Sequence, residues 1–174
     1  MPTTYRLQNT TSDLNPAGAE EFRMEVSATT ATGSTLFTIG GLGSTIGYGF
    51  TAAGVPGTSG VTGNYVVEFD CDTNANVRIE ITLKRVNSSG TVQTTGTTKS
   101  GSTVGQGSYS WTSENLGTWA SGDRLRIDFN FFNDDAGSQN VTIYYGRTTG
   151  EITVPWGGSA VPVFMHHLRQ QGIS

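Results

Sequence analysis

Val77-Arg78-Ile79-Glu80-Ile81-Thr82-Leu83-Lys84 is the stretch that decides the fold. Apolar and polar side chains alternate along it with a period of two. In an extended chain that puts Val77, Ile79, Ile81 and Leu83 on one face and Arg78, Glu80, Thr82 and Lys84 on the other. The same pattern returns where Leu125, Ile127, Phe129 and Phe131 alternate with Arg126, Asp128 and Asn130. Each stretch predicts a half-buried strand.

Outward from these two, shorter alternations and turn residues fill the chain. Residues 3–9 predict an opening strand. Phe22, Met24 and Val26 mark a second, residues 36–39 a third and residues 46–52 a fourth. Residues 64–72 read as one strand, with Tyr65, Val67, Phe69 and Cys71 in its inward phase. A turn at 73–76 then leads into 77–86, where the alternation breaks at Arg85-Val86 and predicts a strand end or a bulge. A polar strand over 91–98, one around Tyr109 and Trp111, and strands at 124–132, 139–146 and 151–155 complete the series. Asn133 to Gly137 reads as a hairpin loop, with Gly137 suited to positive φ. Regular turn signals between short strands predict an all-β, jelly-roll β-sandwich of about 8–10 antiparallel strands with short terminal arms. The expected division is an N-terminal arm and first strand over 1–20, the sandwich over 21–156 and a tail over 157–174. The Gly-rich stretch 40–63 is not a linker, because Ile46, Tyr48, Phe50 and Val55 interrupt it with anchor-sized side chains. It is not a phosphate loop either, since no Gly-Lys-Ser/Thr follows.

Composition narrows the function classes. The chain of 174 residues carries a formal net charge of −4, with 14% charged residues, against about a quarter in ordinary domains. Thr, Ser, Gly and Asn take their place and make a neutral, hydroxyl-rich surface. Lys84-Arg85 is the only adjacent basic pair, so nothing matches a run of phosphates and no nucleic-acid partner is expected. No apolar run approaches a membrane span, so no membrane partner is expected. The opening residues lack a basic n-region and an apolar h-region, so no signal peptide is expected and synthesis is assigned to a cytoplasm. Cys71, the single cysteine, forms no intrachain disulfide and reads as a small buried hydrophobe.

No constellation of side chains reads as catalytic. Glu68 and Glu80 are the carboxylate pair to test, on strands that a short turn would pair. Arg78 and Lys84 share their outward phase, so a surface salt-bridge ladder is the reading, and the chain is expected not to be an enzyme. Asp70, Asp72, Asn74 and Asn76 begin like a calcium loop, but Ala75 stands where glycine is needed and Ile81 where glutamate is. Asp134-Asp135 offers oxygens on another loop. His166-His167 lacks the i,i+4 spacing of a zinc pair. No metal and no cofactor are expected.

Three phrases carry a resemblance. They are Val86-Asn87-Ser88-Ser89-Gly90-Thr91-Val92, then Leu116-Gly117-Thr118-Trp119-Ala120-Ser121-Gly122-Asp123-Arg124-Leu125-Arg126, then Val141-Thr142-Ile143. Together they resemble small structural proteins of tailed bacteriophages, over residues 64–156. The resemblance implies a jelly-roll capsid decoration (cement) protein on the virion's capsid surface. It implies the major capsid protein as partner, a homotrimer, and no catalytic residues. Terminal arms would then make the contacts: Tyr5 and Leu7 at the front, and Val161, Val163, Phe164, Met165 and Leu168 in the tail. Whether that apolar tail meets a partner or folds back stays open. The alternative is a carbohydrate-binding or receptor-binding module of a phage fibre or tail, with Tyr109, Trp111 and Trp119 stacking on sugar rings.

Overall fold

The structure is a computed structural model that describes residues 3–11, 21–25, 33–43, 45–52, 62–69, 71–73, 76–101, 107–145 and 150–155. Its elements are twelve strands: β1 (Thr3–Thr11), β2 (Glu21–Glu25), β3 (Gly33–Ile39), β4 (Thr45–Ala52), β5 (Thr62–Phe69), β6 (Cys71–Thr73), β7 (Val77–Val86), β8 (Val92–Gly101), β9 (Gly107–Asn115), β10 (Arg124–Asn133), β11 (Gln139–Tyr145) and β12 (Glu151–Val154). No helix occurs among the described residues.

Nine strands form one sheet in the order β8-β7-β10-β4-β2-β1-β12-β5-β9, and three form a second in the order β3-β11-β6. The chain is an all-β sandwich, and its jelly-roll character lies in nested pairing. β5 pairs with β12, β6 with β11 and β7 with β10, all antiparallel. That is one long hairpin, folded at the β8–β9 tip and rolled up. β1, β2 and β4 are inserted between β12 and β10. Only β2 and β4 run parallel.

One core lies between the layers. Val77, Ile79, Ile81 and Leu83 are fully buried, as are Leu125, Ile127, Phe129 and Phe131 from the neighbouring β10, and Val141 and Ile143 close it from the small sheet. Burying each large aliphatic or phenyl side chain stabilises the fold by about 1.5–3 kcal/mol.

Several expectations change. The predicted strand 64–72 is two strands. Its inward phase continues through Tyr65, Val67, Phe69 and Cys71, all buried. The chain nevertheless passes from the large sheet to the small one between β5 and β6, because a strand that turns the corner of a sandwich changes layers without changing its inward face. Residues 3–11 are not an arm. β1 is an interior strand with β12 on one side and β2 on the other. Gly137 does not take positive φ; among the described residues the glycines that do are Gly43, Gly90, Gly117 and Gly122. The hairpin is held instead by Asn133, whose side-chain amide donates to the carbonyls of Gly40 (2.5 Å) and Gly137 (2.7 Å).

The large sheet curls until its edge strands β8 and β9 lie side by side. Side chains, not a backbone ladder, join them. The Trp111 indole N–H donates to the Thr97 carbonyl at 2.7 Å, and the Glu114 carboxylate accepts the Thr97 N–H at 2.8 Å. Gly96 allows the close approach, since a Cβ there would stand 2.6 Å from Glu114 Oε1 and 2.9 Å from Leu116 Cδ2. Both edges of a nine-stranded sheet are thereby withheld from further pairing.

Candidate functional site

Two of the three phrases behind the resemblance, 86–92 and 116–126, adjoin at one corner of the sandwich, while the third, 141–143, lies in β11 of the small sheet. Arg85 stands at the end of β7, in the inward phase, under the loop 116–123. Each nitrogen of its guanidinium donates: Nε to the Leu116 carbonyl (2.9 Å), Nη1 to Asp123 Oδ2 (2.6 Å) and Nη2 to Thr94 Oγ1 (3.0 Å). Asp123 also accepts the Ala120 N–H at 2.9 Å. Leu116 and Trp119 drop from the loop into the core. Gly117 and Gly122, with φ of 79° and 88°, supply left-handed turns that L side chains adopt at a cost.

The adjoining turn is built as tightly. The Asn87 side-chain oxygen accepts the N–H groups of Ser89 (3.0 Å) and Thr91 (2.9 Å), and Gly90 N–H donates to the Asn87 carbonyl at 3.0 Å. The two loops touch, since a Cβ on Gly122 would sit 3.3 Å from Ser88 Cβ. The corner presents Ser88, Ser89, Thr118, Ala120 and Ser121 to solvent. Its charges are spent internally, and its outside is small, neutral and hydroxyl-bearing. Such a corner holds a shape and offers hydrogen bonds, but it carries no nucleophile or acid–base pair.

A second polar assembly lies on the outer face of β7, β10 and β4. Asp128, largely buried, is gripped from both sides, by Lys84 Nζ at 2.5 Å and Arg126 Nε at 2.6 Å. Arg126 lies over Gly49, where a Cβ would meet its guanidinium at 3.0 Å. Thr82 and Thr98 share a hydrogen bond of 2.8 Å beside this cluster. Near the 133–139 hairpin, Arg78 Nε donates to Asp134 at 2.6 Å and stacks on Phe132, 4.8 Å from the ring centroid.

The structure separates the carboxylates the sequence would bring together. β5 and β7 do not pair. Glu68 registers opposite Glu151 and Ser108, and Glu80 opposite Asn130 and Ser100. β6 intervenes and belongs to the other sheet, so the turn before β7 is a crossover between layers. The expected partners differ too: Arg78 pairs with Asp134, and Lys84 with Asp128. Asp72 accepts the Tyr144 hydroxyl, while Asn76, at φ 82°, donates to Asp135 at 3.4 Å. Asp70 and Asn74 lie outside the described residues. Among the described residues, no group of three His, Cys, Asp or Glu is arranged to hold a metal ion.

Tyr5 and Leu7, expected on a partner surface, are buried in the core between neighbouring strands. The alternation of β1 turns them inward. The tail residues Val161, Val163, Phe164, Met165 and Leu168 lie outside the described residues. Trp111 and Trp119 are buried, and Tyr109 stacks on Phe69 at 5.6 Å. Neither tryptophan offers an open ring face to a sugar, and half-buried Tyr109 has one face on Phe69. Trp111 spends its N–H on the β8 edge, and Trp119 anchors the corner loop. Burial raises the Tyr109 hydroxyl above its ordinary pKa. Burial, with a smaller contribution from the Glu114 charge, raises that of Tyr65. Both phenols stay neutral at ordinary pH. Sequence reasoning missed the Arg85–Asp123 pair. Its signal was a charged residue in the inward phase of a strand end, which read as a break in the pattern.

No family model matches the chain, and no curated protein matches it. Among solved structures, a CocE/NonD family hydrolase from Staphylococcus aureus is similar with a TM-score of 0.49 at 8% identity, over 89% of this chain and 36% of that one. The Yersinia pseudotuberculosis-derived mitogen has a TM-score of 0.34 at 11% identity, over 74% of this chain and 97% of that one. A structure of infectious bursal disease virus, Gx strain, has a TM-score of 0.17 at 10% identity, over 71% of this chain and 38% of that one. The chain spans about a third of the hydrolase's length. Likenesses this distant carry no argument about function.

Proposed function

We propose that the chain is a virion structural protein of the decoration type, which binds the outside of a tailed-phage capsid and stabilises the shell by bridging capsomers. The observation that carries this reading is the corner. The phrases 86–92 and 116–126, two of the three that carry the resemblance, adjoin there: Val86 registers opposite Arg124, Gly122 approaches Ser88, and Arg85 and Asp123 tie down the second loop. What they share is a rigid, neutral, hydroxyl-bearing surface, of the kind that docks on another protein without a focused charge. The mechanism is mass action: a ligand that binds the assembled shell and not its dissociated subunits stabilises assembly. The major capsid protein is the partner, and the capsid exterior the location.

The experiment compares capsids that lack the protein with the same capsids after adding it back. The expected result is saturable binding and a higher temperature of shell disruption. Shells that bind nothing, or that disrupt at an unchanged temperature when saturated, would overturn the reading. A Ser88→Arg, Ser121→Arg double variant places two charges on the corner. It should fold normally and lose binding if the corner is the docking surface.

A further inference from the structure

We propose that the outer edge of β3 is a contact between two copies of this chain, made by antiparallel strand pairing about Leu36. The proposal goes beyond the capsid reading and does not depend on it.

The argument begins with how the fold treats its strand edges. β8 and β9 are sealed against each other by Trp111 and Glu114. β6 spans three residues and carries the exposed Asp72, and both shortness and charge discourage pairing. β3 has neither protection. It runs seven residues, Gly33-Ser34-Thr35-Leu36-Phe37-Thr38-Ile39, without charge or proline. Its register with β11 is unbroken from Gly33 to Ile39, so no bulge twists the edge away. Among the described residues, no strand covers its other side.

This edge also carries the apolar surface. Leu36 is 64% exposed, and Leu42, in the turn just after β3, is 70% exposed. An uncharged, unbulged edge with an exposed leucine at its centre is a template for another strand. The strand is complementary to itself. Leu36 is its central residue, with exposed Ser34 and Thr38 at equal distances on the same face. A twofold axis beside Leu36 sets Leu36 against the same residue of the second copy. It sets Ser34 against Thr38, whose hydroxyl donates to Asn140 at 2.8 Å and can still accept from Ser34. No like charges meet. A twofold contact requires this match of a surface with itself, and the two three-stranded sheets would continue as one.

The test is the mass in solution by light scattering across a dilution series, with no capsid present, so its failure and that of the capsid reading are distinguishable. The wild-type chain is expected at twice its 18.4 kDa, dissociating on dilution. Leu36→Lys is expected at the single-chain mass with an unchanged circular dichroism spectrum. Ser34→Lys serves the same purpose should the first variant misfold. Residues directly opposite in an antiparallel pair have Cα atoms about 4.5–5.5 Å apart, within disulfide reach. Leu36→Cys should therefore cross-link to a dimer on mild oxidation, and Ser121→Cys, on the corner loop, should not. Cys71 is buried and does not compete. A single-chain mass at every concentration overturns the proposal, as does association that both lysine variants leave intact. A trimeric mass also overturns it, because a twofold contact joins copies in pairs.

Discussion

The large sheet and the small sheet treat their edges in opposite ways. The large sheet brings β8 and β9 together and caps Thr97 on both its N–H and its carbonyl with side chains from β9. Among the described residues, the small sheet ends at β3 in an uncharged, unbulged strand with Leu36 in solvent. The same physics governs both: unpaired backbone groups attract a strand unless something else satisfies them. The contrast teaches that edge protection here is selective. Where the fold invests a buried tryptophan and a glutamate it closes a surface, and where it invests nothing it leaves one open.

The strongest way to break the closed side is at the corner that ends it. Asp123→Ala leaves Arg85 buried with its charge uncompensated, and removing one partner of such a pair costs about 3–5 kcal/mol. Urea denaturation should show the midpoint falling with little change in slope. A smaller cost would mean that water reaches Arg85 and the corner is looser than its hydrogen bonds imply. The seam itself responds to alkali. Tyr65 registers opposite Trp111 beneath the seam, and its hydroxyl is raised in the folded state. The folded chain therefore keeps a proton that the unfolded chain releases above about pH 10. The stability linked to Tyr65 is complete below that pH and is lost as pH rises toward the folded value. Tyr65→Phe should flatten the decline of melting temperature above pH 10.

Trp111→Phe keeps an aromatic ring but leaves the Thr97 carbonyl without its indole donor. Thr97 is exposed, so water can take the place of the lost donor and the cost is that of one ordinary hydrogen bond, about 0.5–1.5 kcal/mol, and hydrogen exchange should rise along β8 while β7 and β10 stay protected. Uniform loss of protection would show that the seam is not a separate unit. Glycines give the smallest effects and the sharpest contrast. Gly122→Ala forces a side chain to φ 88° against Ser88 and should cost about 1 kcal/mol. Gly137→Ala, with open space around the new methyl, should stay within about 0.5 kcal/mol of wild type. Thermal melts of the two side by side check both.

Much of the fold was legible because alternation is a local signal. Residues 77–86 read from the sequence are the same residues that form β7, and 124–132 differs from β10 by one residue. Register between distant strands is not local. That is why Glu68 and Glu80 seemed to face each other, and why the opening strand predicted over 3–9 gave no sign of its neighbours β12 and β2. Aromatic residues mislead for a related reason. Trp111 and Trp119 carry both an apolar ring and a donor, which suits a sugar site and a seam or loop anchor equally. Only the burial of their rings separates those uses. Arg85 was illegible because its partner, Asp123, is 38 residues away and its place in the inward phase looked like a pattern failure. The corner's residues were visible as a resemblance, but their convergence was not.

The nested pairing also sets a timetable. Arg6 of β1 bonds to Glu151 of β12, 145 residues later. At about 5–20 residues per second of synthesis, β12 follows β1 from the ribosome by on the order of ten seconds. Through that interval β1 has β2 on one side but lacks β12 on the other, and β10, the partner of β7, is made only shortly before β12. One edge of β1 thus stays unsatisfied for most of the chain's synthesis. A ribosome-stalled chain ending before residue 150 should bind chaperones through residues 3–11, and one released after residue 155 should not.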